Sequence, residues 1–169
     1  MKNLVLLFVF FVLSFIQIGK SQTEKGTFLL GGNASFQSID EQSILTISPN
    51  IGYFVANKFV VGLNAGITSL ENISVFSLGP YVRGYFLTSE KGSLFASAGF
   101  NYANVKFNDI TESETGYSIG AGYAVFLNPS VALELGANYS RLGLSQSGVS
   151  GSDVGVFSIN AGFQIHFKK

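Results

Sequence analysis

The sequence predicts an all-β fold: an eight-stranded antiparallel up-and-down transmembrane β-barrel over residues 22–169, preceded by a signal peptide over residues 1–21. Three observations carry this expectation. Eight segments alternate apolar and polar residues with a period of two, the mark of a strand with one apolar face. Only 12% of residues are charged, against roughly 25% in an ordinary soluble domain, so the chain lacks the surface that keeps such a domain in water. Beyond residue 18, no apolar run approaches the roughly 20 residues of a membrane-spanning helix.

The leader comes first. Met1-Lys2-Asn3 supplies a positive charge, Leu4 to Ile18 is almost wholly apolar, and Gly19-Lys20-Ser21 puts small residues at the two positions a signal peptidase reads. The apolar run is too short for a retained helical anchor. Cleavage after Ser21 removes Lys2 and Lys20, leaving eight basic against ten acidic groups. That balance is not the basic footprint of a nucleic-acid binder. The absence of cysteine excludes disulfides and thiolate metal sites.

The strands run approximately Thr27 to Gln37, Ser43 to Ala56, Phe59 to Ser69, Ser74 to Leu87, Ser93 to Phe107, Gly116 to Leu127, Val131 to Leu142 and Val154 to Phe167. In the last, Phe157, Ile159, Ala161, Phe163, Ile165 and Phe167 share one face, opposed by Ser158, Asn160, Gly162, Gln164 and His166. The seventh repeats this with Val131, Leu133, Leu135, Ala137 and Tyr139 against Ala132, Glu134, Gly136, Asn138 and Ser140. Connections at Asn57-Lys58, Thr88 to Gly92 and Asn128 to Ser130 are tight. Those between the first and second, fifth and sixth (Asn108 to Thr115), and seventh and eighth strands (Gly143 to Asp153) are expected to be longer and polar. Short turns on one side and longer loops on the other are the habit of transmembrane barrels. Pro49 and Pro80 fall inside the second and fourth strands, where each removes a ladder hydrogen bond; a bulge at either would invert the facing of every residue beyond it.

Alternation alone does not say which face is inside. A secreted barrel around an apolar ligand would turn its apolar face inward. It would then leave in water an exterior banded with aromatics: Phe28, Tyr53, Phe59, Phe86 and Phe167 toward the turns, and Phe36, Phe76, Tyr102, Tyr117, Tyr139 and Phe157 toward the loops. Two aromatic girdles around an apolar belt suit a lipid-facing exterior instead. The polar face then lines a lumen. It carries a repeat in which Asn33, Asn64, Asn101 and Asn138 each follow a glycine two residues earlier, and Asn50, Ser77, Ser118 and Asn160 each precede one. The expected result is a belt of small polar groups on the loop side of a belt of glycines, both tilted by strand stagger. A wet passage is one reading; packing space for large neighbours is the other, and the better supported.

Those neighbours are Phe54, Tyr81, Tyr85, Phe126, Gln164 and His166, expected as a plug on the turn side, with Arg83 and Glu134 as an ion pair. A confined charge needs a partner, because its desolvation costs several kcal/mol. A gate or proton path is the weaker functional alternative. Catalysis is not expected: the single histidine, His166, lies at the turn side, and the loop serines Ser145, Ser147, Ser150 and Ser152 have no base beside them. No cofactor or metal site is expected. Asp40, Glu41, Glu71, Asp109, Glu112, Glu114 and Asp153 make the loops acidic, a crown that either gathers divalent cations or only solvates the rim.

The last strand ends AGFQIHF, and Gly162, Ile165 and Phe167 in it resemble the C-terminal assembly signal of the small eight-stranded outer-membrane barrels of Gram-negative bacteria, the OmpX and OmpA type of the outer membrane protein beta-barrel domain family. Here Lys168 and Lys169 follow the terminal aromatic. The resemblance implies an outer-membrane location with periplasmic termini, lipid around the belt, and the barrel assembly machinery as a partner during biogenesis. The function expected is a structural or surface-interaction barrel with a plugged lumen. The alternative is a porin-like narrow channel or a small solute pocket open to the outside.

Overall fold

A computed structural model describes residues 23–39, 42–70, 73–107, 110–143 and 154–168; the expected signal peptide and the residues 144–153 between the last two strands lie outside them. The strands are β1 (Thr27–Ile39), β2 (Gln42–Ala56), β3 (Phe59–Leu70), β4 (Ile73–Phe86), β5 (Gly92–Phe107), β6 (Ile110–Asn128), β7 (Val131–Gly143) and β8 (Val154–Lys168). Each pairs antiparallel with its sequence neighbours, and β8 returns to β1 with Thr27 opposite Lys168, so the sheet closes into a barrel with no free edge.

Because successive side chains leave a strand on opposite faces, the alternation becomes an outside and an inside. Ile47, Ile51, Leu63, Ile67, Leu78, Ile119, Leu135 and Ile159 are exposed on the exterior, whereas Leu29, Phe54 and Val60 are wholly buried in the lumen. The turn side is closed tightly. Lys58 turns in the left-handed region (φ 65°) and donates its backbone N–H to Thr23 O at 2.6 Å, while Gly26 N donates to Phe54 O at 3.0 Å, so residues 23–26 fold against the mouth of the barrel. At the β6–β7 turn, Asn128 Oδ1 accepts from the backbone N–H groups of Ser130 and Val131 at 2.8 and 2.9 Å, which holds the chain around Pro129.

One open point is settled and one expectation needs correction. Neither proline makes a bulge. The β2–β3 pairing is interrupted between Ile47↔Ile67 and Asn50↔Asn64, and β4–β5 between Leu78↔Tyr102 and Tyr81↔Gly99, yet the register is the same on both sides of each gap. The missing N–H is absorbed by a local break in one ladder, with both rings exposed on the exterior, and the facing of later residues is kept. The register shifts lie instead near the turns, at Phe54/Ala56 and Phe126/Asn128.

The long loop expected over Asn108 to Thr115 is mostly strand: β5 and β6 stay paired as far as Phe107↔Ile110, and β1 and β2 as far as Ile39↔Gln42. Ladder hydrogen bonds need only backbone, so a hairpin can extend past the apolar belt through polar side chains that read as loop. Glu112 and Glu114 are thus strand residues, and Glu114 is buried, 2% exposed, with inward facing. Asp40, Glu41, Glu71, Asp109 and Asp153 of the expected acidic crown lie outside the described residues.

Candidate functional site: a polar lumen cavity above a packed plug

Eight strands leave an interior about wide enough for side chains to fill, and on the turn side they fill it. Leu29, Phe54, Val60, Tyr81, Tyr85, Phe95, Ala124 and Ala132 form one buried cluster, with Phe126 packed against it. Phe54 stacks on Tyr85 with ring centroids 5.7 Å apart, and His166 sits between Phe54 (6.0 Å) and the edge of Phe126 (6.3 Å). Phe54, Tyr81, Tyr85, Phe126, Gln164 and His166 therefore all stand in this layer. Leu29, Val60 and Phe95 join them without having been anticipated. All three lie at positions of inward parity with Gly31, Gly62 and Gly99; Leu29 and Val60 have apolar neighbours on both sides, so local alternation did not mark them, whereas Phe95 was legible.

Across this layer runs an ion pair. Arg83 Nη1 donates to Glu134 Oε1 at 2.9 Å and Oε2 at 3.0 Å. Tyr85 OH accepts from Arg83 Nη1 at 3.3 Å and donates to Glu134 Oε1 at 3.5 Å, and Gln164 Nε2 donates to Glu134 Oε2 at 3.2 Å. The carboxylate is thus held from β4 and β8 at once. The guanidinium carbon lies 4.5 Å from the Phe95 ring centroid and 5.7 Å from that of Tyr81, within range of a cation–π attraction. Because β4 and β7 are three strands apart, the pair bridges the lumen instead of lining one wall.

Glycines give the plug its room. A Cβ at Gly62 would lie 2.6 Å from Tyr81 Cε1, and one at Gly122 would lie 2.6 Å from Phe95 Cζ. The same economy explains the Gly-x-Asn repeat. Gly31 is paired with Asn50, Asn64 with Gly79, Gly99 with Ser118, Gly120 with Asn138, Gly136 with Asn160, and Asn33 with Gly162. The belts therefore do not lie simply one above the other: except between β2 and β3, where Asn50 faces Asn64 and Gly52 faces Gly62, stagger brings these amides and hydroxyls level with a neighbouring strand's glycine, and the two belts interleave. Asn138 Oδ1 lies 2.9 Å from where a Gly120 Cβ would be, and Asn160 Oδ1 3.1 Å from that of Gly136.

Above the plug the band encloses a cavity of about 220 Å³. Asn33, Asn50, Asn64, Ser77, Asn101, Ser118, Asn138 and Asn160 all line it, and Tyr81, Arg83 and Phe95 border it where it meets the plug. Asn64 Nδ2 donates to Asn101 Oδ1 at 3.4 Å, and Asn101 Nδ2 to Ser118 Oγ at 3.3 Å.

A closed eight-stranded barrel, apolar outside and polar within, has a counterpart among known families. The model of the outer membrane protein beta-barrel domain matches residues 6–167. The chain belongs to that family. No curated protein matches the sequence. Among solved structures it is similar to the N-terminal β-barrel domain of Pseudomonas aeruginosa OprF (15% identity, TM-score 0.64) and to Neisserial surface protein A, NspA (20%, 0.62), each likeness covering 85% of this chain and 98% of the other. It is also similar to the outer membrane enzyme PagL (14%, 0.53), over 81% of this chain and 98% of the other. At these identities the likeness is one of fold, and the fold hosts both enzymes and other barrels.

Family membership gives the apolar exterior its solvent: this is a transmembrane barrel of the bacterial outer membrane. Phe28, Tyr53, Phe59, Phe86 and Phe167 are exposed on the exterior toward the turns, and Phe76, Tyr102, Tyr117, Tyr139 and Phe157 toward the other rim; the side chain of Phe36 lies outside the described set. In β8, Phe167 points outward while Gly162 faces the lumen opposite Asn33, and Ile165 pairs with Leu30 on the outer face.

Proposed function

We propose that this protein is a structural or surface-interaction barrel whose lumen is closed by its plug. The observation that carries the reading is the layer formed by Leu29, Phe54, Val60, Ala132 and Gln164, all fully buried and contributed by five different strands. An ion crossing there would have to leave water while the Arg83–Glu134 pair and its aromatic surroundings stayed in place, which is costly. The outer-membrane lipid is the partner of the girdled belt, the barrel assembly machinery recognises Gly162, Ile165 and Phe167 during biogenesis, and both termini face the periplasm. Supporting a non-catalytic role, the chain's one histidine is wedged between Phe54 and Phe126, out of reach of any nucleophile at the opposite rim.

Reconstitution in planar bilayers tests the closure. No stable conductance is expected from the purified protein, and reproducible single-channel steps would overturn the reading in favour of a conduit. The cavity above the plug favours a second reading, a small solute pocket entered from the outside, which is compatible with a silent lumen.

A further inference from the structure

We infer that the lumen cavity binds an uncharged, polyhydroxylated small molecule of about one sugar ring; this deepens the solute-pocket reading and rests on it. The cavity wall is built from amides and hydroxyls. Asn50, Asn64, Asn101, Asn138 and Asn160 supply donors and acceptors, and Ser48, Ser77, Ser97, Ser118 and Ser140 supply hydroxyls that serve as either. Such a wall matches a ligand that is itself a ring of hydroxyls.

Charge decides against the ionic alternatives. Among the described residues lining the cavity, Arg83 is the one charged side chain, and its positive charge is already matched by Glu134 at 2.9 Å. An anion entering would meet a carboxylate just behind the guanidinium, and a cation would meet the guanidinium itself. Either would lose hydration without gaining an unmatched countercharge.

Size limits the ligand further. The volume of about 220 Å³ is below the usual span of roughly 300–1,000 Å³ for pockets that take larger organic ligands. It suits one ring better than an oligosaccharide. A polar cavity of this kind is hydrated when empty, so the ligand gains by reproducing the hydrogen bonds of the waters it displaces.

The test uses the whole mature protein in lipid nanodiscs, with the Asn side-chain amide resonances followed by NMR. D-glucose, D-galactose, D-ribose and myo-inositol are the neutral probes; D-gluconate and D-glucosamine are their charged counterparts. Saturable shifts with at least one neutral probe are expected, at least tenfold weaker with both charged ones. Asn138→Leu, and independently Ser140→Leu, should weaken that binding at least tenfold. Equal or tighter binding of a charged probe would overturn the ligand class while leaving a pocket in place. No saturable shift with any probe would overturn the pocket reading as well. Binding unchanged in both variants would place the ligand elsewhere and refute the site.

Discussion

Glu134→Ala removes a carboxylate that accepts from Arg83, Tyr85 and Gln164 together. Arg83 then remains in the plug with only the Tyr85 hydroxyl and two aromatic faces around its guanidinium. Breaking a buried pair from one side costs about 3–5 kcal/mol. Arg83 also borders the polar cavity, whose water solvates part of the freed charge, so a loss near the lower end, about 3 kcal/mol, is expected. That is about a hundredfold in the folding equilibrium. Replacing both residues, as Arg83→Met with Glu134→Leu, removes the orphan and should recover most of the loss. Urea unfolding in lipid vesicles, read by circular dichroism and by the gel mobility of the folded barrel, measures all three proteins. A Glu134→Ala variant within about 0.5 kcal/mol of the parent, or a double variant no more stable than Glu134→Ala, would refute the reasoning.

Three further outcomes follow from the same geometry. Gly122→Ala should destabilise by about 1–3 kcal/mol through overpacking against the Leu135 carbonyl and Phe95, whereas Gly84→Ala, with open space around its added methyl, should stay within about 0.5 kcal/mol; comparable urea midpoints would show that the glycine is not making room in the lumen. Leu135→Arg, on the exterior at 63% exposure, should cost about 2–4 kcal/mol if it lies near the bilayer midplane; unchanged folding efficiency in vesicles would put that face elsewhere than in lipid. Phe167→Ala should lower the amount recovered in the outer membrane of cells more than His166→Ala does, since the first faces out within the C-terminal signal and the second faces the lumen; equal yields would remove the signal assignment.

The strand ends on the turn side, and the facing of nearly every described residue, were legible because membrane strands alternate strictly between two unlike solvents. Arg83 and Glu134 could be matched because two lumen charges of opposite sign stood at similar heights. Three things were hidden. The start of β6, Ile110 to Thr115, looks like loop, since beyond the apolar belt nothing enforces alternation while backbone pairing continues. Leu29 and Val60 vanish among apolar neighbours on their own strands. The pairing of amides with glycines depends on inter-strand register, which parity along one strand does not contain.

The central claim is a lumen polar and open to solvent above a dry plug, inside a wall that faces lipid, and thiol accessibility tests it most directly. The chain has no cysteine, so an introduced one reports alone. Ser118→Cys in the cavity, Ala132→Cys in the plug and Leu135→Cys on the exterior would each be exposed to a membrane-impermeant methanethiosulfonate with the protein in vesicles. The account predicts labelling of the Ser118 position and none at Ala132 or Leu135. Labelling at Ala132 as fast as at Ser118 would mean that the plug layer is wet, and would contradict it.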